Sequence, residues 1–163
     1  MKTLILMRHA KSSWKDKTIP DHDRSLKKKG KKDVANMAKL LKKKGLVPDH
    51  ILSSTAVRAK DSAELMAEKL DYKGQIEFFE ELYMAEPEVY LNFSSQVKDE
   101  VNTLLLVGHN PGLEGLAMLL SDNITSLPTG SIAKINIPIE SWKQLDASTD
   151  GQIHHVWVPE DYR

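Results

Sequence analysis

Two short apolar runs, each delivering a histidine, constrain this chain more than any other feature. Leu4-Ile5-Leu6-Met7 leads into Arg8-His9, and Leu104-Leu105-Leu106-Val107 leads through Gly108 to His109. Uninterrupted apolar runs of this length suit central parallel strands that are buried on both faces. Open α/β sheets bind their ligands just beyond the carboxyl ends of such strands. Arg8, His9 and His109 are therefore expected to meet at one sheet edge. Their chemistry points to phosphate, because a guanidinium fork matches phosphate oxygens and a neutral imidazole can attack phosphorus.

The segments between these runs read as alternating helices and strands. Residues 10–25 are polar, carry Pro20 and several aspartates, and form a loop at the strand end, where substrate is often held. Ser25 is expected to cap a helix running to about Lys44, with Val34, Met37, Ala38 and Leu41 on one face and Gly45 as the stop. The lysines around 27–32 and 42–44 read as a solvated helix face. His50 to Ser53 is a second strand, Ser54-Thr55 a cap, and a helix follows from about Ala56 to Leu70. Arg58 in its first turn opposes the helix dipole and so calls for a reason other than helix stability. An anion at that helix start would supply one. Further strands are expected at Gln75–Phe79, Thr103–Val107, Ile132–Ile139 and Ile153–Val158. Helices are expected from Pro87, with Val89, Tyr90, Phe93 and Val97 as its stripe, and after Gly112 through about Leu120. This alternation predicts a three-layer α/β/α sandwich with a mostly parallel central sheet and an antiparallel pair at one edge.

Composition narrows the function. The 163 residues suit one domain spanning 1–163 and can bury a sizeable core. With 23 basic and 23 acidic residues, no global field favours nucleic acid or an anionic membrane. The absence of cysteine excludes thiolate nucleophiles and Cys-ligated zinc, and suits a reducing, cytoplasmic setting. No apolar run reaches membrane-spanning length. The six histidines form no metal-ligand spacing, and His154 and His155 should point to opposite faces of a strand. No metal or other cofactor is expected. There is no glycine-rich phosphate loop and no GxSxG elbow, which leaves histidine as the candidate nucleophile.

The blocks Arg8-His9-Ala10-Lys11-Ser12-Ser13-Trp14, Ser53-Ser54-Thr55-Ala56-Val57-Arg58-Ala59 and Gly108-His109-Asn110-Pro111 resemble the histidine phosphatase superfamily. Within it, they are most similar to the short, SixA-like phosphohistidine phosphatase branch, and the resemblance extends over nearly the whole chain. It implies a phosphoglycerate mutase-like fold. It also implies that His9 is the nucleophile, that Arg8 and Arg58 clamp the phosphate, and that His109 donates to an equatorial oxygen. Ser12 takes the place of a small hydroxyl residue beside the phosphate. Ala10 stands where the wider family commonly has glycine, and Lys15 where mutase-like relatives often have asparagine. The chain is too short for the large insertions that cover substrate in many relatives, which implies an open site.

In relatives that cleave phosphomonoesters a carboxylic acid after the third strand protonates the leaving oxygen. Glu81 is the positional counterpart, with Glu80 behind it. An imidazole leaving group has less need of such an acid, its pKa being near about 6.5. The resemblance thus implies a phosphatase that removes phosphate from histidine in a protein partner, in a site that also accepts phosphate and other oxyanions. A small-molecule phosphomonoesterase or mutase, and an inactive phosphate-binding module, are the alternatives.

Overall fold

Along the first strand, β1 (Lys2–Arg8), side chains alternate between two cores. Leu4 and Leu6 join one cluster of apolar residues, while Ile5 and Met7 join a second on the opposite face. A strand with both faces covered must lie inside a sheet, and β1 does. The computed structural model describes residues 1–163. It contains one six-stranded sheet in the order β3-β2-β4-β1-β5-β6, in which β2 is His50–Ser54, β3 Ile76–Phe79, β4 Thr103–Gly108, β5 Ile132–Ile137 and β6 Gln152–Trp157. The first four strands in that order are mutually parallel, and the chain then reverses at β5 and again at β6.

Four helices cover the faces. On one side lie α1 (Lys28–Lys43) and α2 (Val57–Lys69); on the other lie α3 (Pro87–Ser95) and α4 (Gly112–Ser121). The expected three-layer α/β/α sandwich is thus the observed one. The stripe of α1 is buried at Val34, Met37, Ala38 and Leu41, its lysines face solvent, and Gly45, at φ 68°, ends it in a conformation that glycine adopts without strain. No helix is long and apolar enough to cross a membrane.

Topology places the site. The strands β1 and β4 are neighbours in register, with Arg8 opposite Gly108, so His9 and His109 both fall one residue beyond the paired ends. The chain leaves β1 for α1 on one face and leaves β4 for α4 on the other. Adjacent strands whose connections part in this way open a crevice at their carboxyl ends.

Several local expectations give way to tertiary packing. Ser25 is exposed and caps nothing; α1 begins at Lys28 behind Lys27, after Leu26 has been buried and Ser12 has bridged to Leu26. The cap of α2 is Ala56. Ser54 Oγ accepts the Ala56 N–H at 3.1 Å, while Thr55 is bonded to His22 at 2.9 Å. In α3 the fully buried residues are Tyr90, Leu91 and Ser94, while Val89, Phe93 and, beyond the helix end, Val97 pack half-buried against the same core as expected. His154 and His155 do not part to opposite faces. His155 pairs with Lys134 and Ile153 with Ile135, so His154 bulges out and both imidazoles border one depression with Trp157.

Candidate active site

Arg8 is the last residue of β1 and His9 follows it, pinned where the His9 N–H donates to Gly108 O at 3.1 Å. His9 is only 7% exposed. Its Nδ1 lies 2.8 Å from Ala10 O, which can only accept, so the proton sits on Nδ1 and the Nε2 lone pair is bare. Arg58 Nε donates to that Nε2 at 3.3 Å. Burial is the main cause that lowers the His9 pKa to about 4; Arg58, Arg8 and Arg24 add to it, against the bond to Ala10. At neutral pH His9 is an uncharged base with its free nitrogen beside guanidinium groups.

His109 is 1% exposed, its ring centroid 5.1 Å from that of His9. Burial, then the neighbouring His9 and Arg58, hold its pKa at about 3. Its backbone N–H donates to the Tyr90 hydroxyl at 3.1 Å, and that hydroxyl donates to Leu82 O at 3.2 Å. Gly108 makes room for this arrangement, since a Cβ there would collide with the Tyr90 hydroxyl. The His109 Nε2 lies 2.8 Å from Ser54 Oγ, and its Nδ1 is buried with no partner. Arg8 Nε is likewise buried and unpartnered, while Arg8 Nη1 donates to Leu127 O at 3.1 Å.

These side chains line a cavity of about 560 Å³, completed by Lys11, Ser12, Trp14, Asp21, Arg24, Lys27, Met84, Asn110 and Thr129. Five cationic side chains and one carboxylate make it a receptor for anions. No group of three or more His, Cys, Asp or Glu is arranged to hold a metal.

The structure brings Arg8, His9, Arg58, His109 and Ser12 to this cavity. The Ser12 hydroxyl accepts from Arg24 Nη1 at 2.6 Å. Glu81 is not brought in. Glu80 to Leu82 form a single tight turn that buries Leu82 and leaves both carboxylates exposed. From this segment it is Tyr83 and Met84 that reach the site. Tyr83 packs edge-on against His109, and Met84 lines the cavity from a left-handed backbone at φ 52°, a strained position for such a side chain.

Sequence reasoning missed the residues that organise the arginines. Asp21 accepts from Arg58 through its backbone oxygen at 2.7 Å and through Oδ2 at 3.0 Å. Arg24 Nε and Nη2 reach Oδ1 at 3.1 and 3.0 Å, and the Tyr83 hydroxyl donates to Oδ2. The Tyr83 bond first, with the bonds from Arg58 and Arg24, holds the Asp21 carboxyl far below the usual range. Arg24 is 7% exposed and stacks on Trp14, its guanidinium carbon 3.4 Å from the ring centroid. An arginine among aspartates in a loop that leaves a strand end was the available signal.

Comparison with known proteins accords with this geometry. The model of the histidine phosphatase superfamily (branch 1) matches residues 4–84. An uncharacterized chloroplastic protein of Arabidopsis thaliana is 33% identical over 153 residues, covering 88% of this chain and 70% of that protein. Phosphoglycerate mutase 1 of Saccharomyces cerevisiae is 36% identical over 73 residues, 44% of this chain and 30% of that one. The structure of the protein histidine phosphatase SixA complexed with tungstate superposes with a TM-score of 0.84 at 21% identity, covering 99% of each chain, which is a likeness of fold. The chain belongs to the histidine phosphatase superfamily, whose model it matches over residues 4–84.

Proposed function

We propose that this protein is a metal-independent phosphatase that works through a covalent phosphohistidine on His9 and removes phosphate from histidine in a protein partner. The observation that carries the reading is the bare Nε2 of His9, neutral down to about pH 4 and set beside Arg58. In this mechanism the Nε2 lone pair attacks phosphorus while the bond from phosphorus to the leaving nitrogen breaks. Arg58 Nε gives up Nε2 for a phosphoryl oxygen, and Arg8 and His109 take others through the donors now without partners. Water then attacks the phosphohistidine and regenerates His9. Positioning and charge stabilisation supply most of such a reaction, and fixed guanidiniums provide both.

The leaving group follows from the acids. Asp21 is the one carboxylate lining the cavity, and its partners keep it ionised, so it has no proton to give. Glu81 stands outside. A site without a proton donor suits a departing imidazole, with a pKa near about 6.5, better than an alkoxide. The fold shared with a protein histidine phosphatase that holds tungstate supports the same reading. The cysteine-free chain fits a reducing compartment such as the cytoplasm. Similarity to a phosphoglycerate mutase over 73 residues favours the second reading, a small-molecule phosphomonoesterase or mutase.

A substrate panel decides between them. Phosphohistidine peptide and phosphoramidate should turn over far faster than alkyl phosphomonoesters, and rapid quenching should trap acid-labile, alkali-stable phosphate on His9. Preference for an alkyl phosphomonoester would overturn the substrate assignment, and label elsewhere would overturn the nucleophile. Chelators should leave the rate unchanged while vanadate and phosphate inhibit.

A further inference from the structure

The hydroxyl of Ser54 has its hydrogen bonds set by its neighbours. Ser54 ends β2, is fully buried, and its Oγ accepts the Ala56 N–H at the start of α2. The same Oγ lies 2.8 Å from His109 Nε2. Two assignments of the protons are open. If Nε2 carried the hydrogen and donated to Ser54, the serine proton would have no acceptor and the bare His109 Nδ1 would be buried with no donor. That leaves two buried groups unsatisfied, each costing stability, and turns a lone pair toward an incoming anion. If Ser54 donates to Nε2, its donor and acceptor capacities are both used. One group then remains open, the Nδ1–H of His109, on a residue that lines the cavity.

We infer that Ser54 is a positioning residue that fixes His109 as the Nδ1–H tautomer and so makes an uncharged imidazole a hydrogen-bond donor to the phosphoryl group. This rests on the phosphatase reading only for the identity of the acceptor; the tautomer itself is a property of the free protein. The depressed pKa of His109 is consistent with it, because a charged ring would donate from both nitrogens and need no serine. His9 is held in the same tautomer by a different partner, Ala10 O, with opposite effect. One ring offers the cavity a lone pair and the other offers it a proton.

Histidine-selective ¹⁵N labelling with long-range proton–nitrogen correlation reads the tautomers at pH 7 without any substrate. The expected wild-type spectrum has His109 protonated at Nδ1 and bare at Nε2. In Ser54→Ala this preference should be lost, while Ser62→Ala should leave the His109 nitrogens unchanged. Ser62 is an equally buried hydroxyl of the site, bonded to Ala10 N and Arg58 O. Ser54→Ala should also lower kcat about 10-fold with little change in KM, less than the roughly 10²-fold expected where an oxyanion donor is removed outright. Ser54→Thr, which keeps the hydroxyl, should restore both signals. A wild-type His109 protonated at Nε2 would overturn the inference whether or not any variant folds, and so would an unchanged tautomer in folded Ser54→Ala. If phosphatase activity were missing but the tautomer as expected, the functional reading would fail and this one would stand.

Discussion

Acidification should destabilise this protein through His9 well before the carboxylates titrate, and the size of the effect follows from the structure. In the unfolded chain His9 takes up a proton near 6.5; in the fold, burial and three arginines hold its pKa at about 4. Because the folded value is the lower, the unfolded state binds the proton first as pH falls. Stability is therefore complete above 6.5, is lost progressively below it, and the loss levels off near pH 4. At about 1.4 kcal/mol for each tenfold difference in proton affinity, the whole window is worth about 3 kcal/mol. His9→Gln removes the titration while keeping a polar side chain. Urea unfolding at pH 7, 6, 5 and 4 should show the wild type losing about 3 kcal/mol more than the variant across that range, since the other titrations, apart from the neighbouring His109, are common to both. Parallel profiles would refute the reasoning, because they would mean that the imidazole is as easily protonated in the fold as out of it. The same value places the acid limb of kcat/KM near pH 4 rather than 6.5.

Other outcomes follow from the same site. Asp21→Asn leaves Arg58 and Arg24 without their carboxylate; it should destabilise the free protein by about 1–3 kcal/mol, and added phosphate should raise its Tm more than that of the wild type, which thermal melts would measure. Gly108→Ala drives a methyl group into the Tyr90 hydroxyl and should cost about 1–3 kcal/mol together with most of the activity, whereas an unaffected melting point would show that the strand end can yield. Glu81→Gln should change kcat by less than about 2-fold on phosphohistidine peptide or phosphomonoester, as surface substitutions usually do little; a large loss on the ester alone would return Glu81 to the site.

The sequence by itself determined the parts that local periodicity encodes. Leu4–Met7 and Leu104–Val107 are apolar at every position because both their faces are buried, and this alone implies central strands; that they are neighbours is set by the sheet pairing. Their ends then bring Arg8, His9 and His109 together. Arg58 was legible as an arginine in a place the helix dipole disfavours. The remainder depends on contacts between distant segments that leave no periodic trace. Asp21 and Arg24 lie in an irregular loop, and their value comes from Arg58, 37 residues from Asp21 in sequence, and from Tyr83, 62 residues from it. Whether Glu81 or Tyr83 reaches the site was decided by one tight turn, which buries Leu82, leaves Glu81 exposed and sets Tyr83 against His109. The bulge at His154 likewise undid a strict alternation. The protonation of the two imidazoles was settled last of all, by a carbonyl oxygen and a serine hydroxyl, because hydrogen-bond satisfaction in a buried site is a property of the packed neighbourhood and not of any segment of the chain.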